Sequence, residues 1–172
     1  MKYRYIAIIA LLVFALVVVP ASAFTAKKLV INVHSNGDAD VQFKYELNSA
    51  EKLVYSMIPG EEQIVKWGIG TIYPSKTVKS IRVSKTITDL TVRDFATVTV
   101  NPNKPKTKTF KTPAVDFSKA QTPLDNFRNR FPWIGSKITP DFSPDVTIVK
   151  FPGNYQQTYN GVTKIPAITY TK

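Results

Sequence analysis

Apolar side chains recur at every second position along much of the chain. The runs with this pattern lie at residues 29–33, 41–47, 65–73, 81–83 and 90–100; a buried-looking apolar run follows at 146–151, and a last strand-like run lies at 162–171. Valine, isoleucine, threonine and tyrosine dominate them, and turn residues interrupt them at short intervals. We therefore predict a mainly β protein, an antiparallel β-sandwich of the Ig-like or jelly-roll-like kind.

Two short helices are predicted between the strands. Asn48–Glu51 has the form of a capping box, which opens a brief helix that the Pro-Gly pair at 59–60 must end. Thr122 and Pro123 supply a cap and a first-turn proline for a second helix, whose apolar face continues to Phe131. The predicted fold is thus a sandwich with two short helices.

The apolar pattern also determines the register of the first hairpin. A three-residue loop, Ser35-Asn36-Gly37, pairs Val33 with Ala39 and continues by setting apolar residues opposite apolar ones. A two-residue Asn-Gly turn would set apolar residues opposite polar ones, which would turn one strand inside out. We therefore predict the three-residue loop, with glycine at the position that needs a left-handed backbone.

The same hairpin carries the candidate metal ligands His34, Asp38 and Asp40. The predicted register puts His34 opposite Asp38 on the solvent-exposed face, as an ordinary cross-strand set. A calcium loop starting at Asn36 would need glycine and glutamate where the chain has Val41 and Leu47. A turn is the preferred interpretation, and adventitious metal binding by the three side chains is the alternative.

The N-terminus has the features of an export signal. Lys2 and Arg4 precede fourteen apolar residues at 6–19, and the small residues at 21–23 suit a signal peptidase. Fourteen helical residues extend about 21 Å, less than the roughly 30 Å of a hydrocarbon core. We predict cleavage after residue 23 and an extracellular or cell-surface location. Membrane attachment is expected only if the signal is retained.

Composition restricts the chemistry of the remaining chain, residues 24–172. The 172-residue sequence contains no cysteine, which excludes disulfides, thiolate catalysis and cysteine-ligated metals. It also contains no Asn-x-Ser/Thr sequon. The predicted mature length of 149 residues is typical of a single domain, and we expect one domain without a cofactor.

Basic residues exceed acidic ones after the predicted cleavage. Of the 23 lysines and arginines, 21 remain against 12 acidic residues, a net charge of +9. Residues 101–113 combine three prolines with four lysines, and we predict a basic connector that forms neither a central strand nor a helix. The candidate polyanion-binding residues there are Lys104, Lys106, Lys108 and Lys111. An anionic wall polymer or glycan is the expected partner rather than a specific nucleic acid, and a solvated loop is the alternative.

Three aromatic residues are candidates for contact with sugar rings. Trp133, Tyr155 and Tyr159 lie near the C-terminal end, and the two tyrosines are four residues apart, which puts them on one face of a strand. Core packing is the alternative function of these rings.

Catalytic patterns are incomplete. Ser49 and Lys52 fit S-x-x-K, but the companion S-D-N and K-T-G elements are absent. Asp141 and Asp145 form the most plausible carboxylate pair, although aspartate next to proline is common in turns. We predict a protein that is not an enzyme.

Two segments are predicted to lie at sheet edges. Pro166 lacks an amide hydrogen and places the C-terminal segment 161–172 at an edge. The segment 24–30, which cleavage would expose, is the second predicted edge. Edges near chain termini suit self-association by strand addition.

Several stretches resemble known exported proteins. "TPAVDFSKAQ", "DFSPDVTIVKFPGNY", "IPAITYTK" and "HSNGDADVQFKYEL" are similar to segments of small exported archaeal proteins. "MIPGEEQIVKWGI" resembles a segment of fibre-forming TasA-like sandwiches. The resemblance implies an exported envelope protein with a β fold and names no site. The predicted function is a non-catalytic surface structural or interaction protein, such as a filament subunit. The alternative is a binding module for an acidic wall polymer or glycan.

Overall fold

A computed structural model describes residues 25–47, 78–84, 86–120 and 142–172. The described residues form eleven strands and one short 3-10 helix, Phe117–Ala120, with no α-helix among them. In chain order the strands are β1 Thr25–Val33, β2 Ala39–Glu46, β3 Val78–Val83, β4 Ile87–Val92, β5 Thr97–Asn101, β6 Lys104–Lys111, β7 Val115–Asp116, β8 Val146–Lys150, β9 Gln156–Asn160, β10 Lys164–Ile165 and β11 Thr169–Thr171. The mainly β prediction is confirmed. The two predicted helices, at 48–59 and 122–131, and the predicted strand at 65–73 lie outside the described residues.

The strands form three sheets. The largest has six strands in the order β3-β4-β2-β1-β8-β9, the second has the order β11-β6-β5, and β10 pairs with β7. All the pairs are antiparallel except β1 with β8, which run parallel from Lys28 with Val146 to Asn32 with Lys150. The sheets are therefore mainly antiparallel, as predicted, with one parallel pair that the sequence pattern did not indicate. A parallel pair needs a long connection between its strands, and more than a hundred residues separate β1 from β8.

The first hairpin has the predicted register. Val33 lies opposite Ala39, Ile31 opposite Val41 and Leu29 opposite Phe43. The loop is residues 35–37, and His34 and Asp38 form the pair that flanks it. Gly37 has a φ of +93°, as the third loop position requires. The apolar match across β1 and β2 was therefore sufficient to determine this register.

The predicted run 90–100 is divided into two strands that belong to different sheets. β4 ends at Val92 and β5 begins at Thr97, with a turn between them in which Asp94 adopts a positive φ of 52°. The hairpin loop holds this turn in place, because the amide of Ala96 donates to the carbonyl of Gly37 at 2.8 Å. Alternation of side chains continues through the turn and therefore does not reveal it.

The prediction that the basic connector at 101–113 forms no central strand is wrong, because Lys104–Lys111 forms β6, the central strand of its sheet. Pro105 is tolerated because the register jumps from Val100 opposite Lys108 to Asn101 opposite Lys104. This bulge leaves residues 105–107 without partners in β5, so the missing proline amide interrupts no ladder bond. After the bulge, β6 pairs on both sides.

The buried cluster joins all three sheets. On the six-stranded sheet it takes the inward residues of β1, β2, β4 and β8, and from the smaller sheets it takes Phe110 of β6, Val115 of β7 and Ile165 of β10. Phe110 is 1 % exposed, and its ring meets those of Phe151 and Tyr170 at centroid distances of 6.4 and 6.3 Å. The alternate residues of β1, β2 and β4 point away from this cluster and form an outer face.

Candidate functional site

The predicted metal ligands lie on the first hairpin but do not converge. The Nε2 atom of His34 is 2.9 Å from Oδ2 of Asp40, and the His34 side chain is 42 % exposed. Asp38 is directed elsewhere: its Oδ2 accepts from the Asn36 amide at 2.9 Å, and its Oδ1 accepts from the Asp94 amide at 3.0 Å. Within the described ranges no group of three or more histidine, aspartate or glutamate side chains is placed to hold a metal ion. The carboxylate of Asp38 instead connects the hairpin to the turn after β4.

The four predicted polyanion-binding lysines do not form one patch. These residues are Lys104, Lys106, Lys108 and Lys111, all on β6. Lys108 shares a face with the buried Phe110, and its Nζ lies 3.4 Å from the carbonyl of Ser35 in the hairpin loop. Lys111 is three residues from Lys108 and therefore lies on the opposite face. Lys104, Lys106 and Lys111 are exposed, and none of the four makes an ion pair with another described residue.

The predicted aromatic contact residues differ in their surroundings. Trp133 lies outside the described residues. Tyr155 precedes β9, is 36 % exposed, and stacks on Tyr170 with a centroid distance of 4.4 Å and parallel ring planes. Tyr159 is half-buried and packs against the core.

Gln157 connects the two predicted tyrosines. The Tyr159 hydroxyl donates to Oε1 of Gln157 at 2.5 Å, and Nε2 of Gln157 donates to the Tyr155 hydroxyl at 2.7 Å. Burial, followed by the neighbouring Tyr155, raises the pKa of Tyr159 above its ordinary value. Tyr159 is thus an uncharged residue at neutral pH that packs against the core. Of the two tyrosines, Tyr155 has the more exposed ring.

Asp145 is the described member of the predicted carboxylate pair. Its Oδ2 lies 3.4 Å from Nζ of Lys27, which also lies 3.8 Å from Glu46. Asp141 is outside the described residues, as are Ser49 and Lys52.

The predicted N-terminal edge is wrong, because β1 lies inside the six-stranded sheet. It pairs with β2 over Thr25–Val33 and with β8 from Lys28 to Asn32, so both of its sides are occupied. For the predicted C-terminal edge, β11 lies at the edge of the three-stranded sheet among the described strands. Pro166 lies between β10 and β11 and interrupts neither strand.

The hydrogen bonds between Lys108 and Lys172 show which backbone amides and carbonyls of β6 face β11 and which face β5. The amide of Lys108 donates to the carbonyl of Lys172 at 2.8 Å, and the amide of Lys172 donates back at 2.9 Å. Since backbone groups of alternate residues point to the same side, those of Lys108 and Phe110 point toward β11. Those of Thr109 consequently point toward β5.

Among the described strands, β5 therefore has no neighbour on its outer side. Thr99 lies opposite Thr109, so its backbone groups bind β6. The backbone groups of Val98 and Val100 point outward, where the described part of the chain places no further strand. Val100 is 47 % exposed, and the strand TVTVN has no charged residue. The sequence pattern suggested a strand here, but its position at an edge depends on the sheet order.

An open groove lies on the outer face of the six-stranded sheet. We call it the polar groove; it has a volume of about 580 Å³, and its side chains come from Val30, Asn32, Asp40, Gln42, Arg82, Asp89 and Thr91. The register sets Val30 opposite Gln42, Gln42 opposite Asp89, and Asp89 opposite Arg82, in one row across four strands. A second row contains Asn32, Asp40 and Thr91.

Hydrogen bonds connect four of the groove side chains, those of Gln42, Asp89, Asp40 and Thr91. Nε2 of Gln42 donates to Oδ1 of Asp89 at 2.9 Å. Oδ1 of Asp40 accepts from the Thr91 hydroxyl at 2.9 Å, and its Oδ2 faces His34. The arrangement presents amide, carboxylate and guanidinium groups on rigid strands.

Sequence reasoning missed the polar groove. The sequence feature that could have revealed it is the set of polar residues at alternate positions of β2 and β4, such as Asp40 with Gln42 and Asp89 with Thr91. Such alternation identifies an outward face, but only the order β3-β4-β2-β1 brings these residues side by side.

Comparison with known proteins gives no relative. No protein-family model, no curated protein and no solved structure matches the chain. Within the described ranges, no helix has the length and apolar character needed to cross a membrane.

Proposed function

We propose that the chain is an exported, non-catalytic cell-surface protein that associates with further copies of itself by edge-strand addition. The observation that supports this proposal best is the open side of β5, a strand without charge, proline or glycine. Edge strands of monomeric proteins commonly carry charges, prolines or bulges that prevent pairing. From Val98 to Val100, β5 carries no charge, proline or glycine, and the register jump of the β5–β6 pair begins only after Val100.

The residues of β5 are suited to pairing with a second copy of β5. In an antiparallel pair centred on Thr99, Val98 of one copy lies opposite Val100 of the other. The outward amides and carbonyls of these two valines then exchange hydrogen bonds. The valine side chains meet on the core-facing side, and Val100 loses its exposure to water.

The symmetry of this pair determines the assembly. A two-fold β5 contact joins two three-stranded sheets and closes a dimer. A filament requires a second contact, and β11 lies at the other edge of the same sheet. We propose that the sheets form a sandwich in each subunit, with β5 and β11 as its two assembly edges.

Replacing Val100 with lysine tests the β5 contact. The unchanged protein is expected to sediment as a dimer or larger species, and Val100→Lys as a monomer, because pairing would bring a charge against the partner strand. Analytical ultracentrifugation over a wide range of protein concentrations measures this, and electron microscopy distinguishes dimers from filaments.

Thr158→Lys is the matched control, because Thr158 is an exposed, uncharged residue in the edge strand β9 of the other sheet. This variant should associate like the unchanged protein. A wild-type protein that stays monomeric at every concentration contradicts the proposal, and dissociation by Thr158→Lys alone would move the contact to β9.

A second candidate function is the binding of an acidic polymer by the lysines of β6. The exposed side chains of Lys104, Lys106 and Lys111 favour it, because they make no ion pair within the described residues. Since the lysines lie on both faces, an acidic chain would have to pass around the β5–β6 hairpin.

Chromatography on immobilised heparin, an acidic glycan, tests this candidate. The variant to compare changes four lysines to glutamine: Lys104, Lys106, Lys108 and Lys111. Retention should fall, and the slope of log affinity against log salt should become shallower by about 2 to 3. The control is the same change at four lysines elsewhere: Lys28, Lys44, Lys119 and Lys150. Equal losses in both variants would show a response to net charge alone and exclude a β6 site.

A further inference from the structure

We infer that the polar groove binds a neutral oligosaccharide. This inference does not depend on the proposed self-association, because the groove lies on the outer face of the six-stranded sheet and β5 belongs to a different sheet. Its volume of about 580 Å³ is within the range of ligand sites, about 300–1,000 Å³.

The groove offers hydrogen-bonding atoms in pairs that match sugar hydroxyls. The bond from Gln42 to Asp89 uses Nε2 and Oδ1, and leaves Oε1 of Gln42 and Oδ2 of Asp89 as neighbouring acceptors. The Asn32 amide and the Arg82 guanidinium add donors at either side. A sugar hydroxyl both donates and accepts, so adjacent hydroxyls on one ring can use both kinds of group.

The charges in the groove favour an uncharged ligand. Both oxygens of Asp40 already have partners, in His34 and Thr91. Asp89 and Arg82 lie opposite each other in the register and balance in charge. An anionic polymer would meet two carboxylates in the groove, whereas a neutral saccharide loses little solvation of charge on entry.

The shape of the groove favours a chain rather than a single small molecule. The row from Arg82 to Val30 crosses three strand spacings, about 14 Å. The half-buried Val30 gives one end of this row an apolar surface for the C–H face of a sugar ring. Because the lining side chains stand on paired strands, binding orders few groups that were mobile before.

Affinity electrophoresis tests the inference with dextran, galactomannan, mannan and hydroxyethyl cellulose as separate probes in the gel. At least one of these neutral polymers is expected to retard the protein, and heparin is the acidic comparison. Asp89→Asn and Gln42→Ala should each weaken binding about tenfold to a hundredfold, because each removes a hydrogen bond made by a fixed group.

Two matched variants serve as controls. Asp94→Asn removes an exposed carboxylate from the turn after β4, where the positive φ of 52° is one that asparagine tolerates. Gln156→Ala removes an exposed amide from β9, outside the groove. Both should be retarded like the unchanged protein.

The experiment is done in the unchanged protein and in Val100→Lys, so that loss of assembly and loss of saccharide binding are read separately. Retardation in both backgrounds, lost in Asp89→Asn, supports the groove whether or not β5 pairs. The inference is overturned if none of the four neutral polymers retards the protein, if heparin alone does, or if Asp89→Asn binds as well as Asp94→Asn.

Discussion

Replacing Phe110 with alanine is expected to lower the free energy of unfolding by about 3–5 kcal/mol. Phe110 is 1 % exposed, and its ring lies between the six-stranded sheet and the three-stranded sheet, against Phe151 and Tyr170. Alanine would leave a cavity where the sheets meet, and rigid paired strands close such a space poorly. Urea unfolding followed by circular dichroism measures the change.

Phe110→Leu is the graded comparison for this prediction. Leucine fills most of the volume and loses only the ring contacts, so the expected cost is about 1 kcal/mol. If Phe110→Ala costs no more than Phe110→Leu, the packing of β6 against the larger sheet does not contribute the predicted stability.

Gly37→Ala is expected to destabilise the protein by about 3 kcal/mol. The backbone of Gly37 has a φ of +93°, and a Cβ atom there would lie 2.3 Å from the carbonyl oxygen of Ala96. The hairpin loop would have to move away from the turn after β4, which breaks the bond from the Ala96 amide to the Gly37 carbonyl. The unfolding midpoint in urea should fall accordingly.

Gly161→Ala separates the two causes. Gly161 also has a positive φ, of 58°, but a Cβ atom there would meet nothing within 4 Å. This variant should cost about 1 kcal/mol, the strain of the left-handed backbone alone. Equal losses at both positions would show that the contact between Gly37 and Ala96 carries no energy of its own.

The register of β1 and β2 could be predicted from sequence because it depends on neighbours in the chain. Leu29, Ile31 and Val33 must lie on the face that Val41 and Ala39 occupy, and a shift of one residue would bury aspartates. The His34 side chain is accordingly partly exposed on the outer face, where it contacts Asp40.

The prediction for β6 failed for a local reason. Three prolines and four lysines between residues 101 and 113 are typical of a connector. The register jump opposite Asn101 removes Pro105 from the ladder, and Phe110 then supplies a buried anchor. A strand with one inward aromatic residue has too little alternation to be found by its pattern alone.

The outer position of β5, the inner position of β1 and the polar groove depended on sheet order, which sequence did not indicate. β1 became a central strand because β8 pairs with it from more than a hundred residues away. The same order brought Arg82, Asp89 and Gln42 into one row.

By itself, then, the sequence determined which residues form most of the described strands, which faces of β1 and β2 are buried, and how the first loop turns. These properties follow from side-chain alternation and backbone preferences over a few residues, where the energy is local. The tertiary structure alone decided which strands are neighbours, that β5 keeps an open side, and that four strands place their polar residues around one groove. Contacts between distant segments form from the combined packing of the sheets, and no short stretch of the chain encodes them.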